Sequence, residues 1–313
     1  MTEIVTFTPN PAVDVSVCVE RVVPTRKLRC GAQRRDPGGG GINVARVIKR
    51  MGADVTAVFT RGGATGVLLS KLIECEGVAI SYSEIAEETR EDFSIYEEST
   101  GNQYRFVLAG PALTAYEWQA CLDRLALLTD PPPRFVIGSG SLPPGAPADL
   151  YARAGNIAKA RNAKFILDTS GAPLVAALTC GVYLIKPNLR ELSELAGEQL
   201  VCEQDWVGAA KRIVGRREAE VVALTLGHRG ALLVSKDMVL RAEALPIEPL
   251  SAVGAGDSFL GAMTWALAAG KSLEDAFRYG VAAGSSALLH PGTELCRADN
   301  TRELVPQVVI RAL

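Results

Sequence analysis

Histidine is nearly missing from this chain. Of 313 residues only His228 and His290 carry an imidazole, which makes a His-rich metal centre impossible and disfavours a serine–histidine triad. Acid–base chemistry is therefore left to carboxylates. The seven cysteines (Cys18, Cys30, Cys75, Cys121, Cys180, Cys202 and Cys296) are odd in number and include no C-x-x-C pair, so neither a zinc ribbon nor a disulfide framework is indicated, and a reducing cytoplasm suits them. Long apolar runs are lacking. The best, residues 258–270, is too short for the ~30 Å of a bilayer core. Residues 1–16 have no basic stretch leading into an apolar one, so neither membrane insertion nor secretion is expected. An excess of one charge is also absent: 33 basic against 35 acidic residues leaves −2, without the global positive field of a dedicated nucleic-acid binder.

What remains is the composition of a globular protein, 48% hydrophobic and 22% charged, long enough to bury a full core. Short β-branched runs at 55–59, 135–137, 165–167 and 221–224 alternate with helical-period segments at 67–76 and 149–161. That rhythm predicts βαβ units and an α/β fold. Lys164-Phe-Ile-Leu-Asp168 is apolar until its last residue, as in a parallel strand with helices on both faces, and ligands should gather at the carboxyl ends of such strands.

Two segments break the rhythm. In residues 13–36, Val13, Val15, Val17 and Val19 alternate with Asp14, Ser16, Cys18 and Glu20, the pattern of a half-buried antiparallel strand. Residues 93–98 and 103–108 flank Ser99-Thr-Gly-Asn102 as a hairpin. Together these segments predict a small β-sheet lid from about residues 13–36 and 89–108 on a single elaborated domain spanning 1–313. Pro131-Pro-Pro133 reads as a stiff connection between a helix and the strand at Phe135.

The strongest chemical signal is Ser251-Ala-Val-Gly-Ala-Gly-Asp-Ser258, a glycine-containing turn opening onto an apolar helix. Gly254 and Gly256 let successive amides converge where the helix dipole is positive, which makes an anion-binding helix start. Asp257 is then either a helix cap or a general base, and the flanking glycines favour the base. Pro37-Gly-Gly-Gly-Gly-Ile-Asn-Val-Ala-Arg46 also leads into an amphipathic helix, with Val44, Val47, Ile48 and Met51 on its buried face. Its glycines point to close ligand approach rather than a hinge, and Asn43 is either a polar group beside that ligand or a cap.

Lys186-Pro-Asn-Leu-Arg-Glu191 places Asn188 and Glu191 on one helix face, suited either to hydrated Mg²⁺ or to a capping box. Thr225-Leu-Gly-His-Arg-Gly230 is a tight turn that a nucleotide could touch, or simply a hairpin turn. Arg21, Arg26, Lys27, Arg29, Arg34 and Arg35 lie in a stretch without acids, and Arg90 and Arg105 could join them around a phosphorylated ligand; protection of an edge strand by charge is the plainer alternative. Asp14 could face a hydroxylated substrate. Gly270-Lys-Ser272 is not a P-loop, because Trp265 stands where glycine is needed, and no G-x-G-x-x-G follows the first strand.

Gly38-Gly-Gly-Gly-Ile-Asn-Val-Ala-Arg46, Lys186-Pro-Asn188 and Gly254-Ala-Gly-Asp257 resemble the two signatures and the metal motif of the PfkB/ribokinase family of sugar kinases, and the resemblance covers nearly the whole chain. Within the family the chain is most similar to the branch of minor bacterial 6-phosphofructokinases. That likeness rests on Lys27-Leu-Arg29, the quadruple glycine, Gly62-Gly-Ala-Thr-Gly66, Gln103-Tyr-Arg-Phe106, Gly140-Ser-Leu-Pro-Pro-Gly145 and Gly280-Val-Ala-Ala-Gly-Ser285.

The resemblance implies a ribokinase-like fold, with a mainly parallel central sheet covered by helices on both faces and a small β-sheet lid that also forms a homodimer interface. It implies a cytoplasmic enzyme that takes ATP, Mg²⁺ and fructose 6-phosphate. By the same likeness Asp257 is the general base, and the amides of Gly254, Ala255 and Gly256 hold the migrating phosphoryl charge. Asp14, Gly39, Asn43, Ser139 and Asp168 would hold the sugar hydroxyls, with Arg90 and Lys27 at the 6-phosphate and Lys27 bridging to ATP. Lys186, Asn188, Thr225, Gly227, Gly230 and Gly284 would line the nucleotide, and Glu191 would act on Mg²⁺ through water. Ser251, Val253, Ala287 and Gly292 match a K⁺ site of relatives, although His290 and Glu294 depart from its usual Asn and Arg. Kinases of tagatose 6-phosphate or fructose 1-phosphate stay open as alternatives, as does a non-catalytic sugar-phosphate-binding regulator. Gly40, where many relatives carry Lys, and the strand from Gln103 to Phe106 favour fructose 6-phosphate.

Overall fold

Strand and helix alternate along most of the chain, which the computed structural model describes at residues 3–128, 131–290, 292 and 294–313. β1 (Ile4–Thr8), β2 (Ala12–Val19) and β3 (Arg34–Gly38) lead into α1 (Gly40–Arg50). Next come β4 (Val55–Arg61), α2 (Gly63–Cys75), β5 (Ala79–Glu84), β6 (Arg90–Glu97), β7 (Gln103–Phe106) and α3 (Ala115–Leu128). The alternation continues through β8 (Phe135–Ser139), α4 (Leu150–Ala160), β9 (Lys164–Asp168), α5 (Gly171–Leu178), β10 (Val182–Ile185), α6 (Leu189–Ala196), α7 (Glu203–Gly215) and β11 (Ala219–Thr225). β12 (Ala231–Ser235), β13 (Val239–Ala242), α8 (Ala255–Ala268), α9 (Leu273–Leu288), α10 (Ala298–Leu304) and β14 (Ile310–Ala312) follow.

Ten strands make one sheet in the order β14-β13-β12-β11-β10-β9-β8-β1-β4-β5. Every pair from β5 to β11 is parallel, and β12, β13 and β14 extend the sheet antiparallel. Parallel strands need crossovers, and the crossover helices cover both faces. Ile4 of β1 packs on one side with Ile42, Ile48, Leu69, Phe259, Leu260 and Phe277, from α1, α2, α8 and α9. Its neighbours Val5 and Phe7 pack on the other side with Leu122, Leu150, Leu174, Leu192 and Trp206, from α3 to α7. This alternation explains why the central strands are buried nearly throughout and mostly apolar. Each such side chain stabilises the fold by roughly 1.5–3 kcal/mol, which leaves the polar strand ends free for other work.

The two irregular segments meet in a second sheet of order β3-β2-β6-β7. β2 is antiparallel to β3, as the sequence suggested, but parallel to β6, so this small sheet is mixed. A parallel partner 78 residues away leaves no local signature, whereas the β6–β7 hairpin does. The hairpin strands are offset from the expected arms, running from Arg90 to Glu97 and from Gln103 to Phe106. The register sorts the sheet into two faces. Asp14, Asp36 and Asp92 share one row and Ser16, Arg34, Ser94 and Arg105 the next, all on a polar face. Val15, Phe93 and Phe106, with Val17, Ile95 and Tyr104, form the opposite, apolar face, on which Phe93 is 39% and Phe106 56% exposed.

Candidate active site

The polar strand ends converge on the start of α8. Gly254, just before the helix, has φ 77°, a left-handed conformation that glycine adopts without penalty, and a Cβ there would lie 2.7 Å from Leu295 Cδ2. A Cβ on Gly256 would approach Lys186 Nζ to 3.1 Å. Gly254 is thus required by the backbone, while Gly256 leaves room for the Lys186 ammonium, and the first amides of α8 have no capping side chain among the described residues.

Asp257, in that first turn, does not cap the helix. Its carboxylate Oδ2 accepts from Asn43 Nδ2 at 2.9 Å. Burial, reinforced by the Asp168 carboxylate, pushes the Asp257 pKa up to about 6, while the Asn43 hydrogen bond, Lys186 and Arg105 restrain the rise. At neutral pH the group is ionised, yet far more basic than an ordinary carboxylate. Lys186 leaves the end of β10 with its Nζ 3.2 Å from Asp168 Oδ1. Burial alone would lower its pKa, but Asp168, Asp257 and Glu191 outweigh it and the pKa is raised, so the ammonium is fixed in its charged form.

Asn43 is not the cap of α1 either; that position belongs to Gly39, with φ 105°. Three of the four clustered glycines have a packing role of their own. A Cβ on Gly40 would overlap Ser139 Oγ, one on Gly41 would overlap Thr8 Oγ1, and one on Gly38 would overlap the Asp14 carboxylate. These glycines permit close approach to the protein's own strands, which seats α1 directly over β1 and β8. Ser139 is 1% exposed beneath Gly40 and supports the floor of the site.

On the lid side, burial and the nearby Asp92 push the Asp14 pKa up to about 7, with Arg105, Arg46 and Arg90 opposing. Arg90 donates to Leu108 O at 2.6 Å, Asn10 O at 3.2 Å and Asp92 Oδ1 at 3.3 Å. Its Nε is buried with no partner among the described residues. Lys27 stands apart on the exposed stretch between β2 and β3, with no hydrogen bond or ion pair to the other candidates among the described residues. Of the remaining basic residues, Arg34 on edge strand β3 pairs with Asp36 at 2.8 Å and Glu294 at 3.6 Å.

Asn188 and Glu191 form a full capping box: Asn188 N donates to Glu191 Oε2 at 2.9 Å and Glu191 N donates to Asn188 Oδ1 at 3.0 Å. One carboxylate oxygen of Glu191 is left over. Thr225, at the end of β11, donates through its amide to Pro187 O at 3.0 Å, and the hairpin turn after it carries Gly227 and Gly230, both at positive φ. Gly284 brings α9 against the first turn of α8, where its Cβ would lie 3.4 Å from Ala255 O. Ser251 Oγ donates to Gly292 O at 2.7 Å, Val253 N donates back to Ser251 Oγ at 3.2 Å, and Leu250 N reaches Leu288 O at 2.8 Å, which gathers Ser251, Val253 and Gly292 beside the end of α9 that carries Ala287. His290 is 8% exposed with Nε2 unpartnered among the described residues, and burial lowers its pKa.

Three polar residues belong to this site without having been singled out. Asn10, between two prolines at the end of β1, donates to Ala109 O at 3.0 Å and Ser141 Oγ at 3.2 Å. Asp92 anchors Arg90. Arg46, at i+3 from Asn43, is 1% exposed and donates to the Asn43 Oδ1 at 3.1 Å. A Pro-Asn-Pro turn after the first strand and a charge on an apolar helix face were the available signals.

A buried carboxylate beside unpaired helix-start amides and a buried lysine is the equipment of phosphoryl transfer, and the family agrees. Residues 8–300 match the family described as pfkB family carbohydrate kinase, and the chain belongs to it. The ATP-dependent 6-phosphofructokinase isozyme 2 of Mycobacterium tuberculosis is 46% identical over 297 residues, covering 95% of this chain and 87% of that protein. A crystal structure of phosphofructokinase-2 from Escherichia coli in complex with potassium superposes with a TM-score of 0.94 at 39% identity, covering 98% of this chain and 99% of that one. A second crystal structure of the same protein, in complex with fructose-6-phosphate, gives a TM-score of 0.92 at 38% identity over the same shares. The fold is ribokinase-like: a large, mostly parallel sheet between helices plus a separate small sheet.

Proposed function

We propose that this chain transfers the γ-phosphoryl group of ATP to the 1-hydroxyl of fructose 6-phosphate, giving fructose 1,6-bisphosphate and ADP. The observation that carries the reading is the Asp257 carboxylate, bonded to Asn43 instead of capping its own helix. The bond from the sugar oxygen to phosphorus forms as the bond from phosphorus to the bridging oxygen of ADP breaks, and the hydroxyl proton passes to Asp257. Its pKa of about 6 keeps it ready to accept that proton at neutral pH. Charge on the migrating group meets the amides of Gly254, Ala255 and Gly256 and the ammonium of Lys186, fixed donors that need no reorganisation.

Mg²⁺ would neutralise phosphate charge, and the chemistry of the donors fits it. Among the described residues no group of three or more His, Cys, Asp or Glu side chains forms a metal cage. Glu191, with one oxygen outside its capping box, suits an ion that keeps most of its waters. Asn188, Thr225, Gly227, Gly230 and Gly284 would line the nucleotide. Asp14, Gly39, Asn43 and Asp168 would meet the sugar, with Ser139 beneath them and Arg90 at the 6-phosphate; Lys27 would reach both substrates from the lid. Ser251, Val253, Ala287 and Gly292 would hold K⁺, and replacing K⁺ with a bulky organic cation should lower the rate. The two sheets are taken as one catalytic domain of residues 1–313, with residues 13–36 and 89–108 as its lid.

The apolar lid face supports a homodimer through that sheet, since Phe93 and Phe106 are partly exposed on one row. Phe93→Asp with Phe106→Asp should convert a dimer to a monomer in light scattering, and a dimer unaffected by both would reject the lid interface. Among the described residues no helix is long and apolar enough to cross a membrane. The seven cysteines are free thiols, and a reducing cytoplasm suits them. A coupled ADP-release assay tests the substrate. Fructose 6-phosphate should give the highest kcat/KM, tagatose 6-phosphate a lower one and fructose 1-phosphate the lowest. A reversed order would establish one of the alternative kinases, and the absence of ATP-dependent turnover with all three would leave a sugar-phosphate-binding regulator.

A further inference from the structure

We propose that Arg46, clamped by Glu76, is a positioning residue for the reaction: its guanidinium decides which end of the Asn43 carboxamide meets Asp257. The inference rests on the reading of Asp257 as the base. Arg46 is among the largest fully buried side chains, in a helix whose other inward residues are apolar. It is held from three elements. Nε and Nη2 contact Glu76 Oε1, just after α2, at 2.7 and 2.5 Å; Nη1 donates to Pro37 O of β3 at 2.7 Å and to Asn43 Oδ1 of α1 at 3.1 Å. Asp36 Oδ1 is a more distant competitor at 4.0 Å.

A guanidinium has donors and no acceptor. The atom of Asn43 that faces Arg46 must therefore be the carbonyl oxygen, and this forces the NH₂ group to point at Asp257. Without Arg46 only Asp257 itself would select between the two orientations of the amide, and any turn that brings its oxygen against the carboxylate opposes the ionised form. Other charges facing Asp257 are Asp168 from β9, Lys186 after β10 and Arg105 from β7; among the described residues the Asn43 side-chain amide hydrogen-bonds Asp257 and Arg46. Glu76 has a second task. It also holds Arg50 at 3.0 Å, and Arg50 reaches Leu295 O and Cys296 O, in the segment against which Gly254 packs. The clamp thus ties α1 to both sides of the α8 start.

Neutralising Glu76 should let Arg46 lean toward Asp36 and release Asn43. The test is kcat against pH for Glu76→Gln and Arg46→Lys, each made alone and in an Asn43→Ala background, with Asp257→Asn alongside. Glu76→Gln should lower kcat about tenfold with the ATP KM unchanged and move the acidic limb to higher pH. In the Asn43→Ala background the same change should cost under about twofold, because Arg46 acts through an amide no longer present. An equal loss in both backgrounds, or an unshifted limb, would overturn the proposal as a merely structural effect. If Arg46→Lys does not fold, Glu76→Gln decides alone, since its side chain is partly solvent-exposed and keeps its shape. Turnover retained by Asp257→Asn would overturn the base and this inference together. Inactivity of Asp257→Asn beside a wild-type Glu76→Gln would overturn only the inference.

Discussion

Lys186 and Asp168 face each other across adjacent strand ends, Nζ to Oδ1 at 3.2 Å, with 7% and 16% of their side chains exposed. Burial is the main cause of the raised Asp257 pKa, and this pair modulates it. Asp168 raises the pKa of Asp257 and Lys186 lowers it, so the two partners act on the base in opposite directions. Because β9 and β10 are hydrogen-bonded neighbours in the sheet, both charges are held by rigid backbone.

Lys186→Met should therefore do two things at once. It removes a donor to the migrating phosphoryl group, with an expected loss of about 10²-fold in kcat. It also takes away the cation that restrains Asp257, so the acidic limb of kcat should shift to higher pH. Steady-state kinetics between pH 5 and 9 check both, and a lower kcat with an unmoved limb would mean that Lys186 does not act on the base.

Asp257 should make the fold less stable where it makes it active. Its folded pKa of about 6 stands above the ordinary 3.8. Between those values the folded chain keeps a proton that the unfolded chain has lost, so this group favours folding at low pH and the advantage fades as pH rises through about 6. Holding the charge above that point costs about 3 kcal/mol. Asp257→Asn should abolish most of kcat yet raise the melting temperature by several degrees at pH 8, and by less at pH 5. Calorimetry at the two pH values measures the difference; equal shifts would show that the charge is not strained.

Much of this site was legible because its signals are local. The turn at Gly254 to Asp257 and the alternation in β2 depend on neighbours within a few residues, and the sequence placed both correctly. The glycine cluster was different. Its packing role lies in Thr8, Asp14 and Ser139, brought in by three separate strands, and no local pattern encodes that convergence. The parallel pairing of β2 with β6 escaped notice for the same reason. Arg46 was visible as a charge at i+3 from Asn43, but its meaning required the Glu76 carboxylate contributed by another element.

Gly40 gives a direct test of the seating of α1. A methyl group there would overlap Ser139 Oγ and lie 3.1 Å from Gly140 N. Gly40→Ala should destabilise the protein by about 1–3 kcal/mol even though alanine is the better helix former. Adding Ser139→Ala removes the hydroxyl that overlaps and should restore part of the loss. Denaturant unfolding of the single and double variants measures the coupling, and strict additivity would argue that α1 is not held against β8 at this point.

Glu191 separates two roles that share one side chain. Glutamine serves in a capping box nearly as well as glutamate, so Glu191→Gln should leave the melting temperature within about 1 °C of wild type, because its side chain can still accept from the Asn188 amide. The other oxygen, however, is replaced by an NH₂ group, which carries no charge and accepts no hydrogen bond from hydrated Mg²⁺. Titrating Mg²⁺ at fixed ATP should then show a higher half-saturating concentration and a kcat lowered about tenfold, the scale seen when a group behind a metal's water shell is neutralised. If Mg²⁺ dependence is unchanged while stability falls, the capping box is the whole function of this residue and the ion is held by the nucleotide alone.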